Sequence, residues 1–580
     1  MQNGLKTEND VADILTQWMT SEFRRIFADT GADISQAGVT IATNPQFGDY
    51  QCNDAMSLAK VLKKPPRAIA EAFTSRAILH PAVDRMEVAG PGFINIFLKT
   101  GWLVDYLCSM ANDKFLGVPR IGNGRTVVID YSSPNVAKPM HIAHIRSTII
   151  GNAIDRMYRL LGYRVIADNH IGDWGTQFGI LIMGYRHFAN KEALAESPVD
   201  ELQRIYVASY ERTEKDETWL AQCREELVKL QAGDPSNRAL WKEFVDLSLK
   251  EFQKIYSRLG VTFDLVRGES FYNEKLPGIV DQLKQKGLAK ESEGATVVFL
   301  EEEKLPVCIV RKSDGGFNYA TSDLATVASR VEEFSPEKII YITDERQQLH
   351  FRQFFTIAQK LGYTTKLEHV WFGLMRFADG LVASRKGNAI KLEKLLDEAE
   401  ERALAIVQKT SPEMSPVRQK EVAKAVGIGA VKYADLSQNP QTTITFTWEK
   451  ALALDGNSGP YLQYAYARIA SVRDKYAEKF PGIAPDGFPL VVSEPVERTL
   501  VLMLVRFPDV VCKAAQAYRP SFLADYLYDL AQIYSSFYQN VPFLKAEEGL
   551  RESRVRLCGI VARVLKAGLN LLGIDTPERI

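Results

Sequence analysis

The stretch from Thr126 to Ala167 constrains this chain more than any other. It opens with a β-branched run, Thr126-Val-Val-Ile-Asp-Tyr, and passes through a loop rich in Ser, Pro and Asn. It then places Ile142, Ile145, Ile149, Ala153, Met157 and Leu160 at helical spacing. Gly162 stops that helix, and a second strand-like run, Tyr163-Arg-Val-Ile-Ala, follows at once. A helix between two adjacent strands is the crossover that makes them parallel. Open parallel sheets bind ligands at the carboxyl ends of their strands, where helix N-termini offer free N–H groups and a positive dipole end. The loop after the first strand is therefore where chemistry is expected.

The rest of the chain has to be organised around that unit. A length of 580 residues exceeds what one core supports, and at roughly 100–200 residues per domain it predicts several domains. Residues 1–118 read as a small α+β domain, with apolar positions at helical spacing from Val11 to Phe27 and a strand-like Phe93-Ile-Asn-Ile-Phe-Leu. The Pro/Gly-rich stretch at Gly117 marks the boundary to an α/β domain over 119–400, interrupted by a charge-laced helical insertion at about 187–252. Further strands are expected near Thr296–Leu300, Val307–Arg311 and Ile339–Ile342. Residues 401–580 are expected to be all-helical.

Composition excludes more than it selects. Hydrophobic residues at 46% and charged residues at 25% fit a soluble globular enzyme, not a disordered or collagen-like chain. Lys plus Arg (71) nearly cancels Asp plus Glu (72), so any nucleic-acid contact must come from local patches. The six cysteines form no CxxC pair, which argues for a reducing cytoplasm and against a cysteine zinc site. No apolar run is long enough to span a bilayer and no signal pattern opens the chain, so no membrane association is expected.

The loop itself holds Ser132, Ser133, Asn135 and Lys138, followed by His141 and His144, three residues apart and so on one helix face. It matches neither the GxGxxG fingerprint nor the GxxxxGK phosphate loop, so another mode of nucleotide binding is needed. Two histidines at this spacing also allow a zinc site with His170 or Asp168, although zinc spacing explains none of the flanking residues.

Those flanks carry the identification. Ser132-Ser-Pro-Asn-Val-Ala-Lys-Pro-Met-His-Ile-Ala-His-Ile-Arg-Ser-Thr-Ile-Ile-Gly-Asn resembles the HIGH element of the arginyl-tRNA synthetase family, with Ala143 where a glycine is usual. Leu381-Val-Ala-Ser-Arg-Lys-Gly-Asn resembles that family's degenerate KMSKS loop, which lacks its first lysine. The resemblance implies a Rossmann-like class I synthetase catalytic domain, an N-terminal α+β domain touching the outer corner of tRNA, and a C-terminal all-helical anticodon-binding domain. It implies that His141, His144, Lys138, Ser384, Arg385 and Lys386 bind ATP, with Arg385 and Lys386 meeting the leaving pyrophosphate and Lys138 standing in for the missing lysine.

A site for arginine must hold a planar cation with five donors, which a bidentate carboxylate does well. Asn318-Tyr-Ala-Thr-Ser-Asp resembles the family's arginine motif, so Asp323 is expected on the guanidinium and Tyr319 on its flat face. The resemblance further implies Ser133 and Asn135 on the α-amino and carboxylate groups, with Gln347 and Glu293 lining the pocket. In the helical domain, Tyr461, Tyr464 and Tyr538 are expected either to stack on splayed anticodon bases or to pack in the core. Ile580 ends the chain where the family usually has methionine. Arginine, ATP with Mg2+, and tRNA(Arg) are the implied reactants, with no metal held by the protein alone and a cytoplasmic monomer expected. Two rivals stand beside this reading. One is a nucleotidyltransferase of the same superfamily acting without RNA, and the other is a tRNA-binding paralogue without activity.

Overall fold

The computed structural model describes residues 10–31, 34, 37–42, 44–377 and 390–580. They form two compact units. One comprises Gly122–Pro460 with Leu571–Asp575, and the other the described residues of Met1–Ile121 with Tyr461–Asn570 and Thr576–Ile580.

The first unit is built on a five-stranded parallel sheet. Its strands are β1 (Thr126–Asp130), β2 (Arg164–Asn169), β3 (Leu265–Val266), β4 (Lys338–Asp344) and β5 (Lys366–Phe372). Their spatial order is β5-β4-β1-β2-β3, so the chain winds one way from β1 to β3 and then back across to β4 and β5. That reversal leaves a crevice between the carboxyl ends of β1 and β4, the switch point of a doubly wound sheet. Helix α1 (Ile142–Leu160) links β1 to β2, α2 (Tyr319–Phe334) precedes β4, and α3 (Gln348–Leu361) links β4 to β5. Val127, Val128, Ile129, Ile339, Ile340 and Ile342 are buried, as a sheet covered on both faces requires.

Two features depart from simple alternation. Between β2 and β3 the chain makes five helices, from Gln177–Phe188 to Pro235–Leu259, packed around Phe178, Leu181, Leu202, Ile205 and Phe244. The strands expected near Thr296 and Val307 exist as Ala295–Val298 and Cys308–Arg311, yet they join Ala289–Ser292 in a separate antiparallel sheet. A two-residue turn causes this: Glu293 (φ 51°) and Gly294 (φ 80°) both take the left-handed conformation that closes a tight hairpin. Beyond residue 400 helices dominate as expected, with one short strand, Ile444–Phe446, lying parallel to Met375–Phe377.

The second unit contains the N-terminal α+β layer and a helical bundle. Val39–Ile41, Tyr50–Cys52, Phe93–Leu98 and Val83–Ala89 make one antiparallel sheet in that order. The long helix Val11–Ile26 starts at Asp10, whose side chain accepts the Asp13 N–H at 2.8 Å. Asp49 joins the two parts of this unit: its carboxylate accepts both Arg498 Nη1 (2.9 Å) and Nη2 (2.7 Å), and Gly48 before it sits where a Cβ would meet the Ile96 carbonyl at 2.7 Å. The segment around Gly48 and Asp49 therefore has an internal structural task.

Candidate active site at the sheet switch point

The loop after β1 is strained. Ser132 (φ 76°), Ser133 (φ 47°) and Ala137 (φ 61°) all have left-handed backbones without being glycine, a concentration found where function demands it. Side chains hold it in that shape. The Ser132 N–H donates to Ser147 Oγ (2.9 Å), Ser147 donates to the Ile342 carbonyl (2.6 Å), and Thr148 donates to Ser132 Oγ (2.8 Å). Ser133 donates its N–H to Asn169 Oδ1 (3.1 Å) and its hydroxyl to Asp130 Oδ1 (3.0 Å). Asn135 is exposed and bridges to Gly172, where any Cβ would lie 2.1 Å from Asn135 Oδ1. Lys138 is exposed, its ammonium 5.4 Å from the centre of the Tyr206 ring.

The two histidines form the N-terminal cap of α1. His141 is the capping residue and its Nδ1 accepts the Ala143 N–H at 3.3 Å, while His144 Nδ1 accepts the His141 N–H at 3.1 Å. Their rings lie 4.0 Å apart between centroids. Because each Nδ1 is an acceptor, the proton of each neutral ring sits on Nε2, which becomes a free donor. Burial, followed by the neighbouring His141, pushes His144 down to about 3. Burial, then Lys138 and Arg346, also lowers His141. Both rings are therefore neutral donors near pH 7, set at a helix N-terminus.

The chain beyond the second sequence motif returns to this same point. Ile142 N–H donates to the Ile390 carbonyl (3.2 Å) and Leu392 N–H to the Met140 carbonyl (2.9 Å), with Lys391 bridged to His141. Ser384, Arg385 and Lys386 themselves lie outside the described residues.

The opposite wall is α2. Asn318 caps it, Tyr319 opens it with 69% of its surface exposed, and Asp323 follows one turn later. Asp323 Oδ2 is 2.5 Å from His350 Nε2 on α3. Gln347 is exposed in the turn that begins α3. Sequence reasoning missed Glu269, which follows β3: burial first, then the Asp323 and Asp173 carboxylates, push its carboxyl up to about 8. No motif flagged it, because its only distinction is the company it keeps in space. Glu293 is placed elsewhere, exposed at the tip of the antiparallel hairpin, and no hydrogen bond or ion pair among the described residues joins it to Tyr319 or Asp323. The zinc alternative finds no support: among the described residues no group of three metal-ligating side chains converges, and Asp168 is engaged by Arg330.

In the helical bundle, Tyr464 and Tyr538 are exposed, and the Arg468 guanidinium lies 4.9 Å and 5.2 Å from their ring centres. Tyr461 is half-buried, its ring 5.8 Å from that of Tyr528, and Ile580 is half-buried at the chain end.

A doubly wound parallel sheet with paired neutral histidines capping the helix after β1, and carboxylates gathered at the start of α2 and after β3, is an α/β architecture of the kind enzymes use. Residues 107–448 match the family model for the class I tRNA synthetase (R) catalytic domain. Residues 10–98 match the arginyl-tRNA synthetase N-terminal domain, and 462–580 the DALR anticodon-binding domain. The arginine–tRNA ligase of Fusobacterium nucleatum is 45% identical over 98% of this chain and 98% of its own length, and that of Chromobacterium violaceum is 42% identical over 97% and 99%. Among solved structures, the arginyl-tRNA synthetase of Plasmodium falciparum superposes with a TM-score of 0.85 at 28% identity, covering 99% of this chain and all of that one. That of Thermus thermophilus gives 0.82 at 26%, covering 98% and all of its chain. The chain belongs to the arginyl-tRNA synthetase family of class I.

Proposed function

We propose that this enzyme is an arginine–tRNA ligase that activates arginine with ATP and esterifies it to tRNA(Arg). Two observations carry the reading: uncharged donors at His141 and His144 after β1, and the Asp323 and Glu269 carboxylates gathered at the start of α2 and after β3. The arginine carboxylate attacks the α-phosphorus of ATP, the bond from that phosphorus to the bridging oxygen breaks, and pyrophosphate leaves. The 2′-hydroxyl of the terminal adenosine then attacks the adenylate carbonyl, and AMP leaves.

His141 and His144 donate from Nε2 to the phosphates, and these bonds strengthen as charge builds on the phosphoryl oxygens. Lys138, Ser384, Arg385 and Lys386 belong to the same nucleotide end. Asp323 and Glu269 take the guanidinium, Tyr319 covers its face, Gln347 borders it, and Ser133 and Asn135 hold the α-amino and carboxylate groups. Mg2+ would neutralise charge on the ATP phosphates, entering with the nucleotide. Tyr464 and Tyr538, with Arg468 between them, form a stacking platform for anticodon bases, flanked by Tyr461 and the Ile580 end. The N-terminal α+β layer contacts the outer corner of the tRNA. No helix among the described residues is long and apolar enough to cross a membrane, and a cytoplasmic monomer suits these reactants.

The test is ATP–pyrophosphate exchange driven by arginine, with and without tRNA(Arg), using lysine and citrulline as controls. Exchange with arginine alone among the three supports the reading. Absence of exchange from folded protein that still binds tRNA replaces it with a non-catalytic tRNA-binding role.

A further inference from the structure

Among the described residues of the catalytic unit two arginines are fully buried, and they are treated differently. Arg146 is 1% exposed and every nitrogen of its guanidinium is engaged: Nε and Nη2 with Asp435 (3.0 and 3.1 Å), Nη2 also with the Pro440 carbonyl (3.2 Å), and Nη1 with the carbonyls of Gly373 (2.5 Å) and Thr442 (3.3 Å). That is a structural rivet. Arg330, also 1% exposed, faces two carboxylates. Its Nη2 donates to Asp130 Oδ2 (2.6 Å) and Asp168 Oδ2 (2.8 Å), and its Nε donates to Asp168 Oδ2 (3.1 Å). Arg330 Nη1, Asp168 Oδ1 and the nearby Tyr272 hydroxyl make no hydrogen bond to the described residues. Two buried carboxylates on one incompletely satisfied guanidinium contribute little stability, since apolar side chains of similar volume serve at least as well.

What the cluster does supply is geometry. Asp130 and Asp168 stand in register at the carboxyl ends of β1 and β2. Asp130 Oδ1 accepts the Ser133 hydroxyl, and Asn169, next to Asp168, accepts the Ser133 N–H. Arg330 lies on α2, seven residues and two turns beyond Asp323, so both project from one side of the helix. One guanidinium thus ties the helix that carries Asp323 and Tyr319 to the strand ends that carry Ser133.

We propose that Arg330 is a positioning residue that fixes the span between the two ends of the arginine site, and so sets discrimination between arginine and analogues one methylene longer or shorter. The inference rests on the assignment of Asp323 and Ser133 to opposite ends of the substrate.

The experiment is arginine-dependent ATP–pyrophosphate exchange with tRNA present, comparing kcat/KM for arginine, homoarginine and the analogue one methylene shorter. The variants are Arg330→Lys and Asp168→Asn, each checked by circular dichroism. A hydrophobic pocket resolves one methylene by roughly 10- to 200-fold, and the arginine-to-homoarginine ratio is expected to fall at least about ten-fold in both variants, with the KM for ATP unchanged. A merely structural role lowers stability or kcat for all three substrates and leaves the ratio alone. An unchanged ratio in a folded variant overturns the proposal, as does failure of both variants to fold, which makes the cluster a stability device. Asp323→Asn and Ser133→Ala are run alongside. If neither raises the KM for arginine, the assignment of the substrate ends has failed, and that result is separate from the behaviour of Arg330.

Discussion

Burial works against charge at the histidines and at Glu269 alike, yet it leaves the two groups suited to different ligands. At the histidine end burial removes charge: His144 is driven to about 3 and His141 is lowered as well, leaving neutral donors fixed by their own helix cap. At the α2 end burial, and then the Asp323 and Asp173 carboxylates, make Glu269 hold its proton up to about 8. Arginine carries a permanent positive charge, so the pocket proposed for it must present the opposite sign as it binds. At the proposed nucleotide end, neutral histidine donors tighten chiefly as new charge develops, beside the cations proposed there to meet the leaving pyrophosphate.

If this contrast is right, the largest single loss belongs to the charged end. Asp323→Asn leaves the guanidinium short of a carboxylate, a change worth about 2–5 kcal/mol at a desolvated ion pair. Arginine-dependent exchange should fall by roughly 30- to 4,000-fold in kcat/KM, with the KM for ATP untouched. Equal damage to both substrates breaks the comparison. Next comes His141→Asn. Asparagine is a good helix cap, so thermal melting should be unmoved, yet the Nε2 donor is gone and kcat should drop about 100-fold with the arginine KM preserved. A fall in melting temperature instead makes His141 chiefly a cap. Tyr538→Ala lies outside both ends and sharpens the contrast from without: the tRNA KM should rise roughly 5- to 100-fold, as loss of one stacked base implies, with exchange at saturating tRNA unchanged.

The same contrast marks what was legible in the sequence. The β1–α1–β2 unit could be read because local periodicity, a stop glycine and a run of loop residues coincide along the chain, and His141 and His144 fell with it. Tyr319 and Asp323 were visible as one helix turn. The acidic pocket was not, because it is assembled from a residue after β3, a residue on α2 and a histidine on α3, which only the sheet order brings together. Glu293 and Glu269 are equally plausible carboxylates in one dimension. A left-handed hairpin turn exposes the first, while the end of β3 half-buries the second near Asp323 and Asp173. The antiparallel sheet eluded the pattern for the same reason: its strands have ordinary strand composition, and the Glu293-Gly294 turn alone redirects them.

Glu269 also offers the finest test, because its effect is graded by pH. Burial, then the Asp323 and Asp173 carboxylates, pushes its carboxyl up to about 8, so in the free enzyme it is mostly protonated at pH 7. A guanidinium favours the ionised form, and arginine binding below pH 8 must therefore expel a proton. Affinity for arginine should rise about five-fold between pH 7 and pH 8 and about ten-fold in all, levelling off above about pH 9. Calorimetric titration in buffers of different ionisation enthalpy reads that proton directly. Stability runs the other way: the contribution of a raised carboxyl is complete below the unfolded pKa and is lost as pH climbs through 8, so the apo enzyme should soften where it binds best. Glu269→Gln should flatten both slopes. A pH dependence of arginine affinity that survives in Glu269→Gln assigns the proton to another group, and the acidic end then differs from the histidine end in the number of its carboxylates without holding a proton in reserve.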